Sequence, residues 1–142
     1  MRIFFAPMEG VIDHHFRTLY SAIGGIDICV SEFIRVNDVA VSKKVFLRDC
    51  PELQRASFHQ HRLSATPNGT PLRVQLLGSN PETIAASAVT AINLGASAID
   101  LNFGCPAKTV NKSRGGAVLL KEPQLVGEIV RQVRSAVPIE RP

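Results

Sequence analysis

The chain has 142 residues, 45% of them hydrophobic and 20% charged, with a net charge of +4 and a pI near 9.3. That balance suits one soluble globular core. No apolar run approaches the roughly 20 residues that cross a bilayer, the opening Met-Arg-Ile-Phe-Phe-Ala-Pro has too short an apolar stretch for a secretory signal, and the three irregularly placed cysteines, Cys29, Cys50 and Cys105, suggest neither a disulfide framework nor a zinc ribbon. A cytoplasmic protein with free thiols is expected, and its basic character is compatible with a polyanionic partner.

Hydrophobic periodicity and its punctuation give the elements in chain order. Ile3 to Ala6 is a continuously apolar run ended by Pro7, as for a strand buried on both faces. Asp13 is an N-cap candidate for a helix that buries Phe16, Leu19, Tyr20 and Ile23 and stops at Gly24-Gly25. Ile26 to Ile34 reads as a second strand with Ser31 and Glu32 near its end. Val36 to Phe46 has room for a short helix, and Phe58 to Thr70 reads as a surface loop. Leu72 to Gly78 is a third strand, followed by Asn80 and Pro81 as N-cap and first residue of a helix whose apolar face is Ile84, Ala88, Val89 and Ile92. Gly95 closes that helix, Ser97 to Phe103 is a fourth strand, and Pro123 to Val137 is a last helix burying Leu125, Val126, Ile129, Val130 and Val133 before Pro138.

Four strand-then-helix units imply a parallel sheet covered by helices. An open doubly wound sheet and part of a β/α barrel both satisfy this. The absence of G-x-G-x-x-G after the first strand and of any G-x-x-x-x-G-K-[ST] favours the barrel. A complete barrel takes about 250 residues, so this chain is expected to be a half barrel of four parallel strands with covering helices, ending where a fifth strand would start.

In such a barrel the reactive groups lie at the C-terminal ends of the strands. Those positions are Pro7, Met8 and Glu9, then Glu32 to Arg35, then Gln75 to Gly78, then Asn102 to Pro106, all facing one mouth. Cys105, between Gly104 and Pro106, is either a proton donor or a structural cysteine on its chemistry alone. Cys29 lies in an apolar strand and reads as core, while Cys50 reads as structural or exposed. Gln75 on a buried strand must find a partner, inside the protein or on a bound heterocycle. Lys108 to Arg114 carries three cations and no acid and reads as a functional loop. His59 and His61 lack a third ligand, and His14 and His15 read as partly exposed helix residues, so no metal is expected.

Ala6-Pro7-Met8-Glu9-Gly10-Val11 and Asp100-Leu101-Asn102-Phe103-Gly104-Cys105-Pro106, followed by Lys108, Asn111 and Gly115-Gly116-Ala117, closely resemble the flavin-dependent tRNA-dihydrouridine synthases. Val74 to Gly78, Glu32 to Val36, Lys44-Val45-Phe46 and Cys50 to Leu53 make the chain most similar to the bacterial C-type enzymes. Phe103 and a longer segment between Phe58 and Thr70 depart from that pattern. The resemblance implies an FMN-binding β/α barrel with NADPH as reductant, acting on a uridine of the tRNA D-loop, position 16, with a separate C-terminal helical tRNA-binding domain. It implies that Ala6, Pro7 and Met8 lie against the flavin, that Gln75 hydrogen-bonds its ring, and that Cys105 is the general acid. It further implies that Arg35 and Asn102 contact the RNA, with Lys108, Asn111, Lys112 and Arg114 also on the tRNA side. The lysine, histidine and glycine-rich phosphate site of the family fall outside this chain, so by itself it is expected to bind flavin weakly or not at all and to show little activity.

Three other readings compete: an FMN barrel acting on a free pyrimidine or a dihydroorotate-like molecule, a non-catalytic RNA-binding module, and a half barrel that self-associates into a homo-oligomer through its open strand edges.

Overall fold

A computed structural model describes residues 1–54 and 63–142. The expected loop therefore lies in part, and His59 and His61 entirely, outside the described residues. In chain order the elements are β1 (Phe4–Phe5), α1 (His14–Ile23), β2 (Ile28–Val30), β3 (Ile34–Arg35), α2 (Lys43–Asp49), β4 (Leu72–Leu77), α3 (Pro81–Asn93), β5 (Ala98–Leu101), α4 (Lys108–Lys112), a 3-10 turn (Gly116–Lys121) and α5 (Pro123–Ala136). Asp13 caps α1 by accepting from the backbone N–H groups of His15 and Phe16, and the Phe16 bond holds its carboxyl below the usual range. Asn80 caps α3 in the same way, with Pro81 in the first turn.

Every pairing in the sheet is parallel. β4 has β5 on one edge, and both β2 and β3 on the other. Val30 pairs with Arg73 and Ile34 with Leu76, so four steps along one strand match three along its neighbour. The expected second strand is thus a single barrel strand broken by a one-residue bulge at residues 31–33. Ser31 closes the gap: its Oγ accepts the Gln75 N–H at 3.0 Å, in place of the carbonyl that the bulge carries away. With β2 and β3 counted together, four strand positions follow one another in chain order, as the half barrel requires.

Side chains alternate across the sheet. Leu72, Val74 and Leu76 are buried on the helix side among Ile84, Ala88, Ile129 and Val133. Arg73, Gln75 and Leu77 lie on the opposite face, where Gln75 sits in register with Asp100. The tail after α5 turns back to the free edge of β5: the Ile99 N–H donates to the Pro142 carbonyl at 3.0 Å, and the Arg134 guanidinium gathers the carbonyls of Val137, Pro138 and Arg141.

Three burial expectations are corrected. Phe16, Leu19, Tyr20 and Ile23 do form one stripe of α1, but it is exposed, Ile23 by 75%, and the buried residues of α1 are Arg17 and Ser21. Tyr20 stacks on Phe5 at 5.0 Å and Phe16 on Tyr20 at 6.0 Å, while Leu19 and Ile23 stay exposed. Periodicity shows which face is apolar; it does not supply the partner. For the same reason β1 is not buried on both faces, since Ile3 and Phe4 are exposed at an edge with no strand beyond it among the described residues. On α5, Ile129 and Val133 are buried, Leu125 and Val126 are half-buried, and Val130 is exposed.

Candidate active site

Because all strands run the same way, their C-terminal ends share one rim, and the segments expected there do converge. Met8 follows β1 and is 60% exposed. Glu9 Oε1 lies 3.6 Å from Arg35 Nη2 at the end of β3, and the Arg35 guanidinium sits 5.3 Å from the centre of the Phe33 ring. Glu32 Oε1 accepts the Val11 N–H at 3.2 Å, tying the loop after β1 to the bulged strand. Arg35 is therefore held between a carboxylate and an aromatic face, an arrangement that presents a planar cation at the mouth.

The centre of the rim is a chain of amides. Gln75 Nε2 donates to Asp100 Oδ2 at 2.7 Å, Gln75 Oε1 accepts from Asn102 Nδ2 at 2.9 Å, and Asn102 Oδ1 accepts the N–H groups of Gly104 at 3.1 Å and Cys105 at 2.9 Å. The partner that Gln75 requires is thus inside the protein. Asp100 was absent from the expected site, although its two-residue spacing from Asn102 along β5 places both on one face.

Cys105 is half-buried in a turn shaped from below by Gly116. Gly116 has φ +66°, and a Cβ there would lie 2.5 Å from the Cys105 carbonyl oxygen and 3.0 Å from its Cβ. Only glycine combines that backbone with that approach. The Ala117 N–H donates to the same Cys105 carbonyl. Asn111 Nδ2 donates to the Pro106 carbonyl, and Asn111 Oδ1 accepts the Val118 N–H, both at 3.1 Å, so Asn111 staples the cysteine turn to the 3-10 turn.

The basic segment is not a loop: residues Lys108–Lys112 form α4. Lys108 and Lys112 are exposed, whereas Arg114 donates from Nη2 to Glu122 Oε2 at 2.7 Å. Lys112 and Arg114 line an open groove of about 900 Å³ with Asp38, Asn80, Glu82 and Glu128. None of its lining residues belongs to the amide chain or to the cysteine turn.

The other two cysteines face the helix layer and are fully buried. Burial raises the Cys29 thiol and pushes Cys50 up to about 12, opposed in both by the Arg17 charge. Native protein at pH 8 should therefore take up one equivalent of iodoacetamide, at Cys105, and three after denaturation. Mass mapping that finds Cys29 or Cys50 modified at a comparable rate would contradict this packing.

Comparison with known proteins accords with this geometry. The family model described as "Dihydrouridine synthase (Dus)" matches residues 4–141. The chain is 51% identical over all of its 142 residues to a tRNA-dihydrouridine(16) synthase of Shewanella oneidensis, covering 43% of that protein. It is 54% identical to proteins of the same name from Aquipseudomonas alcaligenes and Pseudomonas putida, covering 43% and 42% of them. The chain thus spans less than half the length of these relatives. With its parallel strands in barrel order and its cysteine turn at their C-terminal rim, it belongs to the dihydrouridine synthase family.

Proposed function

We propose that the chain is the N-terminal half of the catalytic barrel of a tRNA-dihydrouridine synthase that reduces a D-loop uridine, with FMN as cofactor and NADPH as reductant. The observation that carries this reading is Cys105 at the strand ends, half-buried and joined through Asn102 to Gln75. The residues fit the ring of a flavin: Met8 offers an exposed thioether surface at the end of β1, and the second N–H of Gln75 has no protein partner among the described residues.

Ala6, Pro7, Met8 and Gln75 would hold a flavin whose reduced form would supply hydride for C6 of the uracil. Cys105 Sγ–H gives its proton to C5, so the C5=C6 double bond becomes two C–H bonds and the thiolate recovers a proton from solvent. A uridine must leave its stack to reach this turn, and Arg35 and Asn102 would contact it there. Lys108 and Lys112, both exposed, would meet phosphates. Asn111 and Arg114, occupied within the protein, would act on the tRNA side by shaping α4.

The test is a chimera of residues 1–142 with the remaining part of the Shewanella oneidensis relative, assayed for dihydrouridine in unmodified tRNA. Flavin absorbance and tRNA reduction are expected. A folded, yellow chimera that reduces free uracil but not tRNA would favour the pyrimidine reading, and one that binds tRNA with no flavin would favour the RNA-binding module.

A further inference from the structure

Both ends of the amide chain at the rim fix its direction independently. Asp100 Oδ2 can only accept, so Gln75 must turn its NH₂ group towards it. The N–H groups of Gly104 and Cys105 can only donate, so Asn102 must turn its oxygen towards them. The one remaining link, Asn102 Nδ2 to Gln75 Oε1, is satisfied only when both conditions hold, and its length is 2.9 Å. No amide in the series can flip without breaking a bond at each of its ends.

We infer that Asp100 is a positioning residue for Cys105, acting through Gln75 and Asn102 rather than by contact, and that it also fixes amide donors as the polarity shown to a ligand. The carboxylate is the charged terminus of a series of aligned dipoles, which strengthens each hydrogen bond along it. Its last bond holds the backbone N–H of the cysteine itself, while Gly116 supports the Cys105 carbonyl side of the same turn. The arrangement leaves one N–H on Gln75 and one on Asn102 with no protein partner among the described residues. Two such donors, on the same bonded series that holds the Cys105 backbone, favour a heterocycle edge bearing carbonyl oxygens and oppose one bearing an amino group. The identity of the ligand rests on the proposed function, but the positioning of Cys105 does not.

The relay is tested without flavin or RNA, so its failure is distinct from failure of the catalytic reading. In the 142-residue chain, Asp100→Leu removes the acceptor, Asp100→Asn keeps one, and Gln75→Leu cuts the next link. The readouts are the iodoacetamide rate at Cys105 and the ¹⁵N side-chain amide resonances of Gln75 and Asn102. Asp100→Leu and Gln75→Leu are each expected to raise the Cys105 rate at least about threefold, and the double variant no further, because both break one series. Asp100→Asn should return the rate to within about twofold of the parent, with the Asn102 resonances in place. Additive effects of the two leucine variants, or Asp100→Asn as disruptive as Asp100→Leu, would overturn the relay. If Asp100→Leu also exposes Cys29 and Cys50, Gln75→Leu decides. An unchanged Cys105 rate there overturns the proposal, and a threefold rise with the two buried thiols still protected supports it.

Discussion

Cys105→Ala in the chimera is expected to lower the single-turnover rate of tRNA reduction by about 10²- to 10⁴-fold, the usual range for loss of a positioned general acid. Affinity for tRNA should change little, because the half-buried thiol offers RNA little surface compared with Arg35, Lys108 and Lys112. The effect should therefore fall on the chemical step and not on binding. The fold should persist as well, since the turn is held by the main-chain groups of Cys105, bonded to Asn102 and Ala117, and not by its sulfur. Rapid-quench measurement of dihydrouridine, with filter binding of tRNA in parallel, separates the two effects. A rate within fivefold of the parent would remove the thiol from the proton transfer.

Removing Arg17 alone should have the largest effect on stability. Its guanidinium, 0% exposed, donates from Nε to Glu52 Oε1 at 2.8 Å, from Nη2 to Glu52 Oε2 at 3.1 Å and from Nη1 to the Ile12 carbonyl at 3.1 Å. Burial pulls its pKa down, but the hydrogen bond and charge of Glu52 outweigh that and raise it, so the guanidinium stays charged. Arg17→Ala leaves the Glu52 carboxylate buried and unpaired, at a cost of about 3–5 kcal/mol, a large share of the stability of an ordinary domain. Replacing both partners, Arg17→Met with Glu52→Leu, should recover most of the loss, because two charges then no longer need to leave water. Urea unfolding midpoints for the single and double variants check this. A single variant within about 1 kcal/mol of the parent would show that the pair does not fasten α1 to the chain after α2.

The buried pair also marks a limit of sequence reading. Arg17 stands three residues before Tyr20 on a helix whose apolar stripe is conspicuous, and the natural inference puts that stripe inside and the arginine outside. The structure has them the other way round, because the side of α1 facing Cys29 and Cys50 is the side Glu52 can reach. Nothing local to α1 encodes an acid 35 residues away. The bulge at Ser31 is similar: the run from Ile26 to Ile34 reads as one partly alternating strand, and its break appears only when its register with β4 is known.

Other features were fixed by short-range chemistry and were legible directly. Asp13 and Asn80 cap helices because their side chains satisfy N–H groups two and three residues on. The alternation of Leu72, Val74 and Leu76 with Arg73, Gln75 and Leu77 assigns two faces to β4 whatever surrounds it. Four strand-helix units in this order, with no glycine-rich dinucleotide turn, were enough to place Met8, Arg35, Gln75 and Cys105 at one end of a barrel-type sheet. Tertiary structure alone decided who meets whom at that end: that Asp100 lies in register with Gln75, that Asn102 bonds to Gln75, and that Glu9 reaches Arg35. Propensity and capping act over a few residues, whereas the bonds of Gln75 to Asp100 and to Asn102 join side chains 25 and 27 positions apart. They exist only once the strands have settled into register.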